Sequence, residues 1–267
     1  MEVLATVAFS LGVIAYSVAS TLFFLDLGRG RAAASESAPF WALGFGAACH
    51  ATHIVASSFF NHVCPVESIH FALSATALVL VVTFLLVGRR RQIDALGLFV
   101  GPVALTFLVA AQFVGSERPP PPVSGVLLAL HVTANLLGLG FVLLSGGASA
   151  LFLFAERRLK QKRVGLGRLP ALDQLDNLAH RLLLLGFPLL TFGVVTGAIF
   201  FAELGNRSGI SFARAVLGYL AWGLVLAVLL LRALGGFRGR KTAYGTLLGV
   251  VFVLAVLGVY LARGSGA

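Results

Sequence analysis

The chain has 267 residues, of which 58% are apolar and only 11% charged, and its mean hydropathy is +0.97. A soluble domain carries about a quarter charged residues, so composition excludes a soluble enzyme or a soluble binding module. The net charge of +10 does not argue for nucleic acid, because most of the 20 Lys and Arg fall in every second loop between apolar runs.

Eight apolar stretches follow one another, at 3–25, 40–60, 68–87, 95–114, 123–155, 178–202, 215–231 and 243–262. Most approach the ~20 residues that cross about 30 Å of hydrocarbon. A backbone in lipid must satisfy its own hydrogen bonds, which makes each stretch a helix. The first begins Met1-Glu2-Val3, with no basic start, and is too long for a signal peptide; it is expected to be a retained span.

The basic loops carry Arg29 and Arg31; Arg89, Arg90 and Arg91; a third cluster from Arg157 to Arg168; and Arg232, Arg238, Arg240 and Lys241. The alternate loops and the tail hold only Arg118, Arg207, Arg214 and Arg263. Positive loops stay cytoplasmic. The expectation is an all-α, polytopic membrane helical bundle of about eight transmembrane helices, with N and C termini outside. It would be a multi-pass protein of the cell's inner (plasma) membrane, one integral membrane domain over 1–267 with no soluble domain.

Between spans, the tetraproline run at 119–122 has fixed φ and no N–H to donate, so it stiffens the fourth-to-fifth connection. Leu172, Leu175 and Leu178 recur at helical spacing beside Asp173 and Asp176. This pattern predicts a short interfacial helix leading into span six, in contact with lipid headgroups. Gly193 and Gly197 form a GxxxG, and Ser145, Gly146, Ser149 and Ala150 line part of span five. Small residues of this kind let helices approach closely in lipid.

No Asp, Glu, Lys or Arg lies near the middle of any span, which weighs against an ion-coupled carrier. Cys49 and Cys64 form no CxxC and no metal cluster. There is no Walker sequence, HExxH or GxSxG. Histidine is the informative residue. His50, His53, His62, His70 and His131 belong to the outer half of the expected topology and His180 to the inner. His50 and His53 are three apart and share one helix face. At 1.5 Å per residue, His53 and His131 lie roughly 10–12 Å deep and His50 about 15 Å. Two imidazoles facing each other across helices can supply both axial positions of a haem iron. A buried histidine can equally hydrogen-bond a neighbouring helix, and at this stage both readings stand. His62 and His70 read as solvated or interfacial.

Some segments carry a resemblance. Leu175-Asp176-Asn177-Leu178 through Arg181, followed by Gly186-Phe187-Pro188-Leu189-Leu190-Thr191-Phe192-Gly193-Val194-Val195-Thr196-Gly197-Ala198, resembles the CcsA-type cytochrome c assembly proteins, a family that includes the HemX-like membrane proteins. Leu96-Gly97-Leu98-Phe99-Val100-Gly101-Pro102, Pro65 with Glu67-Ser68, His131 near the outer end of span five, and Glu156-Arg157-Arg158-Leu159-Lys160 at its inner end support it. The resemblance implies haem as the cofactor. His131 stands for the family's first outer histidine, and His50, with His53 beside it, for the histidine of the second span; the haem iron would sit on His131 and His50.

The family's tryptophan-rich outer loop ending in Asp is missing: 203–214 holds neither Trp nor Asp. Leu230 stands at the approximate place of a membrane histidine, and Val259-Tyr260-Leu261-Ala262-Arg263 has no second outer histidine. These departures point away from a complete haem lyase. They point toward a non-enzymatic membrane protein that binds or handles haem in c-type cytochrome biogenesis. An alternative is a HemX-like regulatory scaffold acting on glutamyl-tRNA reductase without binding haem; a third is a small-molecule transporter. The implied partners are the lipid bilayer, haem, and other cytochrome c assembly proteins or a haem-biosynthesis enzyme on the cytoplasmic side, with no nucleic acid.

Overall fold

The computed structural model describes residues 2–28, 37–61, 69–88, 94–112, 126–161, 170–204 and 209–262. Among them are eight α-helices: α1 (Glu2–Gly28), α2 (Ala38–Asn61), α3 (Ile69–Gly88), α4 (Gly97–Ala111), α5 (Val126–Lys160), α6 (Leu172–Leu204), α7 (Gly209–Gly235) and α8 (Arg240–Ala262). A 3-10 turn, Asp94–Leu96, leads into α4, and the described residues contain no strand. Each expected span is therefore helical over its described residues, and the chain is a polytopic helical membrane bundle. His62, Cys64, the proline run at 119–122 and the basic residues Lys162, Arg163 and Arg168 lie outside the described residues.

Six helices are long and apolar enough by themselves to cross a membrane, namely those containing Glu2–Asp26, Asp94–Ala111, Val126–Lys160, Leu172–Phe200, Ala215–Gly235 and Arg240–Val259. The apolar part of α3 is shorter, Phe71–Leu86. The remaining helix, α2, carries His50, Thr52, His53, Ser57 and Ser58 along its length. Two helices exceed the hydrocarbon thickness by a wide margin: α5 has 35 residues and α6 has 33, about 50 Å each at 1.5 Å per residue against a core of about 30 Å. The segment expected to be a separate interfacial helix is the first two turns of α6. Nothing between Leu172 and Leu178 breaks a helix, since Pro170 precedes the start and no glycine intervenes. The helix also runs on through Pro188, as membrane helices tolerate when neighbouring groups satisfy the freed carbonyl.

The helices assemble as two groups. In the first, α1 lies along α2 and α4, and α3 packs on α2 and α4; in the second, α5 pairs with α6 and α8, and α7 with α6 and α8. The packing of α3 on α5 joins the groups. An aromatic cluster closes one end of the first group: the Phe23 ring meets Phe40 and Phe84 edge-on, at 5.4 and 5.9 Å between centroids, and Phe40 stacks on Phe84 at 5.7 Å. Glycines set the helix spacing at that junction, because a Cβ at Gly97 would strike the Phe23 ring and one at Gly101 the Ser20 hydroxyl.

One ion pair organises the second group. Asp176, at the start of α6, and Arg232, near the end of α7, are joined at 2.8 Å with side chains only 9% and 8% exposed. Every oxygen of that carboxylate is used: Oδ2 takes Arg232, while Oδ1 accepts from the Gly239 N–H at 3.0 Å and the Thr242 hydroxyl at 3.2 Å. Arg232 also donates to Asn177 Oδ1 at 3.0 Å. The turn between α7 and α8 meets this carboxylate through Gly239; Gly236 and Gly239 are both at positive φ (62° and 70°), a conformation that glycine adopts without a Cβ clash. The sequence placed both charged residues just beyond apolar stretches; only the antiparallel packing of α6 and α7 brings them together.

Breaking a buried pair on one side leaves an unpaired charge, at a cost of about 3–5 kcal/mol. Arg232→Met is therefore expected to lower the thermal midpoint of detergent-purified protein sharply. Combining it with Asp176→Leu should recover much of the loss. A single variant as stable as the parent would mean that the pair is solvated.

Candidate functional site

The seam between α5 and α6 positions His131. In lipid no hydrophobic effect drives helices together, so close backbone approach and interhelical hydrogen bonds do that work. Along this seam Ser145 Oγ donates to Ala179 O at 2.7 Å. Gly138 and Gly186 let the backbones meet, a Cβ at Gly138 falling 3.1 Å from Leu190 N and one at Gly186 3.2 Å from Gly138 O. Further along, the GxxxG glycines accommodate polar side chains from the facing helix. The Asn135 amide fills the space where Gly193 would carry a Cβ, and His131 Cε1 would lie 3.4 Å from a Cβ at Gly197.

Thr196 Oγ1 lies 2.7 Å from both Phe192 O and His131 Nδ1. The tautomer with Nδ1 protonated satisfies both contacts, the hydroxyl hydrogen going to the carbonyl and the oxygen accepting from Nδ1–H. Nε2 then carries the lone pair. Its partner is the Asn135 amide at a long 3.3 Å, and that amide already donates to His131 O at 2.8 Å. The edge of Phe200 meets the half-buried ring at 5.3 Å. An imidazole oriented through Nδ1–H with Nε2 presenting its lone pair is the arrangement that metal-ligating histidines use.

His50 and His53 belong to the other helix group. His50 is fully buried, with Nδ1 3.2 Å from the Tyr16 hydroxyl and Nε2 2.7 Å from Ser74 Oγ, so that it ties α1, α2 and α3 together. His53 donates from Nδ1 to Ala5 O at 2.9 Å, and its Nε2 accepts from the Gln112 amide at 3.2 Å. The Phe9 ring lies 5.3 Å away. His53 thus has the same protonation pattern as His131, while both nitrogens of His50 are engaged by hydroxyls. The three candidate ligands occupy two polar clusters, His50 and His53 among α1–α4 and His131 between α5 and α6. His62 lies outside the described residues, and His70 opens α3.

Sequence reasoning passed over Asn135 and Thr196. Asn135 follows His131 by one helical turn, and Thr196 sits within the GxxxG, so a polar residue facing that motif was the available signal.

The family profile described as "Cytochrome C assembly protein" matches residues 35–264. The chain belongs to the cytochrome c assembly protein family. Its relatives include Protein HemX of Bacillus subtilis, 26% identical over 193 residues, a match covering 70% of each chain. Protein HemX of Brevibacillus brevis is 36% identical over 114 residues, 40% of this chain and 42% of the relative. Cytochrome c biogenesis protein CcsA of Crocosphaera subtropica is 28% identical over 186 residues, covering 68% of this chain but only 50% of the relative. The chain thus spans about half the length of that CcsA relative. No solved structure matches the chain. The matched residues take in α2 through α8 and so include His50, His53 and His131, while α1 precedes them.

The two seam glycines make a discriminating pair. Gly193→Ala pushes a methyl into the Asn135 amide and is expected to cost about 1–3 kcal/mol, as overpacking does. Gly197→Ala meets only the edge of the His131 ring and should leave thermal stability near the parent's. Equal effects in thermal melts would contradict the packing described.

Proposed function

We propose that this protein binds or handles haem in c-type cytochrome biogenesis, as a non-enzymatic multi-pass protein of the inner (plasma) membrane, with His131 as its axial ligand. The observation that carries this reading is the His131 imidazole, oriented by Thr196 through Nδ1 and presenting the Nε2 lone pair. The donor set fits a haem iron, which takes neutral imidazole nitrogen. Haem would supply the iron centre; the chain's own residues would hold the ring, fix its tautomer and line it with Phe200. His53 is the second histidine whose protonation suits ligation. His50 is the less suitable of the α2 pair, because liganding iron would break a hydroxyl contact in the dry core. The tryptophan-rich platform expected of the family is absent from 203–214, which favours an accessory role over a complete haem lyase.

A second reading is a HemX-like regulatory scaffold that acts on a haem-biosynthesis enzyme such as glutamyl-tRNA reductase from the cytoplasmic side. The more even coverage of a HemX relative, 70% of each chain, favours it. So does the basic end of α5, where Arg157, Arg158 and Lys160 occupy the last turn of a helix longer than the membrane.

Absorption spectra of detergent-purified protein, oxidised and reduced, separate the readings. A Soret band is expected, lost in His131→Ala and retained in folded His50→Ala, whose thermal stability should fall instead. A protein that stays colourless after haem addition would overturn the haem-handling role. Capture of the enzyme in a manner dependent on Arg157, Arg158 and Lys160 would then support the scaffold.

A further inference from the structure

Parts of α5, α6, α7 and α8 that gather around Asp176 line a partly open cavity of about 10 Å³. Its polar walls are Ser149, Asp176, His180, Arg232, Thr242 and Thr246, and its apolar walls include Phe152 and Leu183. Two of those polar groups have no hydrogen-bond partner among the described residues. Ser149 Oγ is one, on a residue only 1% exposed, and His180 Nδ1 is the other. A serine in a helix ordinarily turns its hydroxyl onto the carbonyl one turn back, as Ser10, Ser17 and Ser20 all do here. Ser149 does not, although it sits in the middle of a regular helix. Leaving such a group buried and unpaired forfeits its hydration with nothing in return, and two of them in one cavity point to a shared ligand.

The chemistry of the walls selects its class. Asp176 has both oxygens engaged by Arg232, Gly239 and Thr242, so the carboxylate offers no ionic bond to a cation, and the Arg232 guanidinium stands beside it. An anion would face the same carboxylate. Serine, histidine and aspartate also make nucleophilic triads, but there the carboxylate orients the imidazole, and here it is spent on the arginine and the α8 turn. What remains is a neutral molecule that both donates and accepts. The volume is about that needed for one water centre, and a buried water takes two to four polar partners.

We propose that this cavity is a binding site for a single water molecule that bridges Ser149 Oγ of α5 to His180 Nδ1 of α6. The hydroxyl can donate or accept, and the imidazole nitrogen takes whichever role its tautomer leaves. The water joins α5 to α6 beside the Asp176–Arg232 pair, at the level where α8 begins.

The test is a structure of the full chain in lipid nanodiscs, at a resolution that shows ordered water, in sodium chloride and again in choline gluconate. A density peak within hydrogen-bond distance of both atoms in both buffers is expected. A peak that disappears without sodium or chloride assigns the site to an ion and overturns the proposal, as does the absence of a peak. Thermal melts give an independent reading. With a bridging water, Ser149→Val strips His180 of its partner and lowers the midpoint. In a dry cavity the valine fills space and removes an unpaired hydroxyl, so an unchanged or raised midpoint overturns the proposal. Should Ser149→Val fail to fold, Ser149→Ala, which only deletes the hydroxyl, carries the same two outcomes.

Discussion

The approach of α5 to α6 determines where the chemistry of this bundle can sit. Lipid gives helices no hydrophobic reason to associate, so the pair is held by backbone contact at Gly138 and Gly186 and by the Ser145–Ala179 hydrogen bond. Once that register is set, Asn135 and His131 have one place to go, the groove left by Gly193 and Gly197. Thr196, between those glycines, then meets the imidazole. The other faces of α5 receive α3 and α8, so the same helix that carries His131 also joins the two groups. A register slip here would move the histidine, the junction and the buried ion pair together.

Several of the buried polar residues among those described hold helices together. His50 connects three helices through two hydroxyls, and His53 reaches from α2 to the backbone of α1 and the end of α4. Trp222 of α7 donates to Thr191 of α6 at 2.9 Å and stacks on Phe187. In such a setting a histidine is first a structural group. At His131, Thr196 meets Nδ1 and the contact to Nε2 is the long one from the Asn135 amide, whose other hydrogen goes to His131 O.

The helical architecture was legible from apolar run length and the alternation of basic loops, because a backbone in lipid has few alternatives. Helix ends were less so. The first turns of α6 look amphipathic and detached in sequence, yet they are continuous with the span because nothing interrupts the chain between Leu172 and Leu178. The candidate histidines were legible as residue types and their partners were not. When every face of a helix is apolar, periodicity says little about rotation, so sequence left open whether His50 and His131 share a cluster; the structure puts them in different ones. The Asp176–Arg232 pair was hidden for a related reason, since each residue alone reads as an ordinary charge at a membrane boundary. The GxxxG was read correctly as a place of close approach, but the side chains that enter it came from the facing helix.

The buried carboxylate also constrains the order in which the protein can be made. Asp176 leaves the ribosome 56 residues ahead of the arginine that neutralises it, and ahead of the α8 turn that supplies its remaining donors. Until α7 is complete, the start of α6 holds an acid with no protein partner, and such a group belongs in water or among headgroups. The folded environment of α6 is therefore complete only once α7 and the head of α8 are in place.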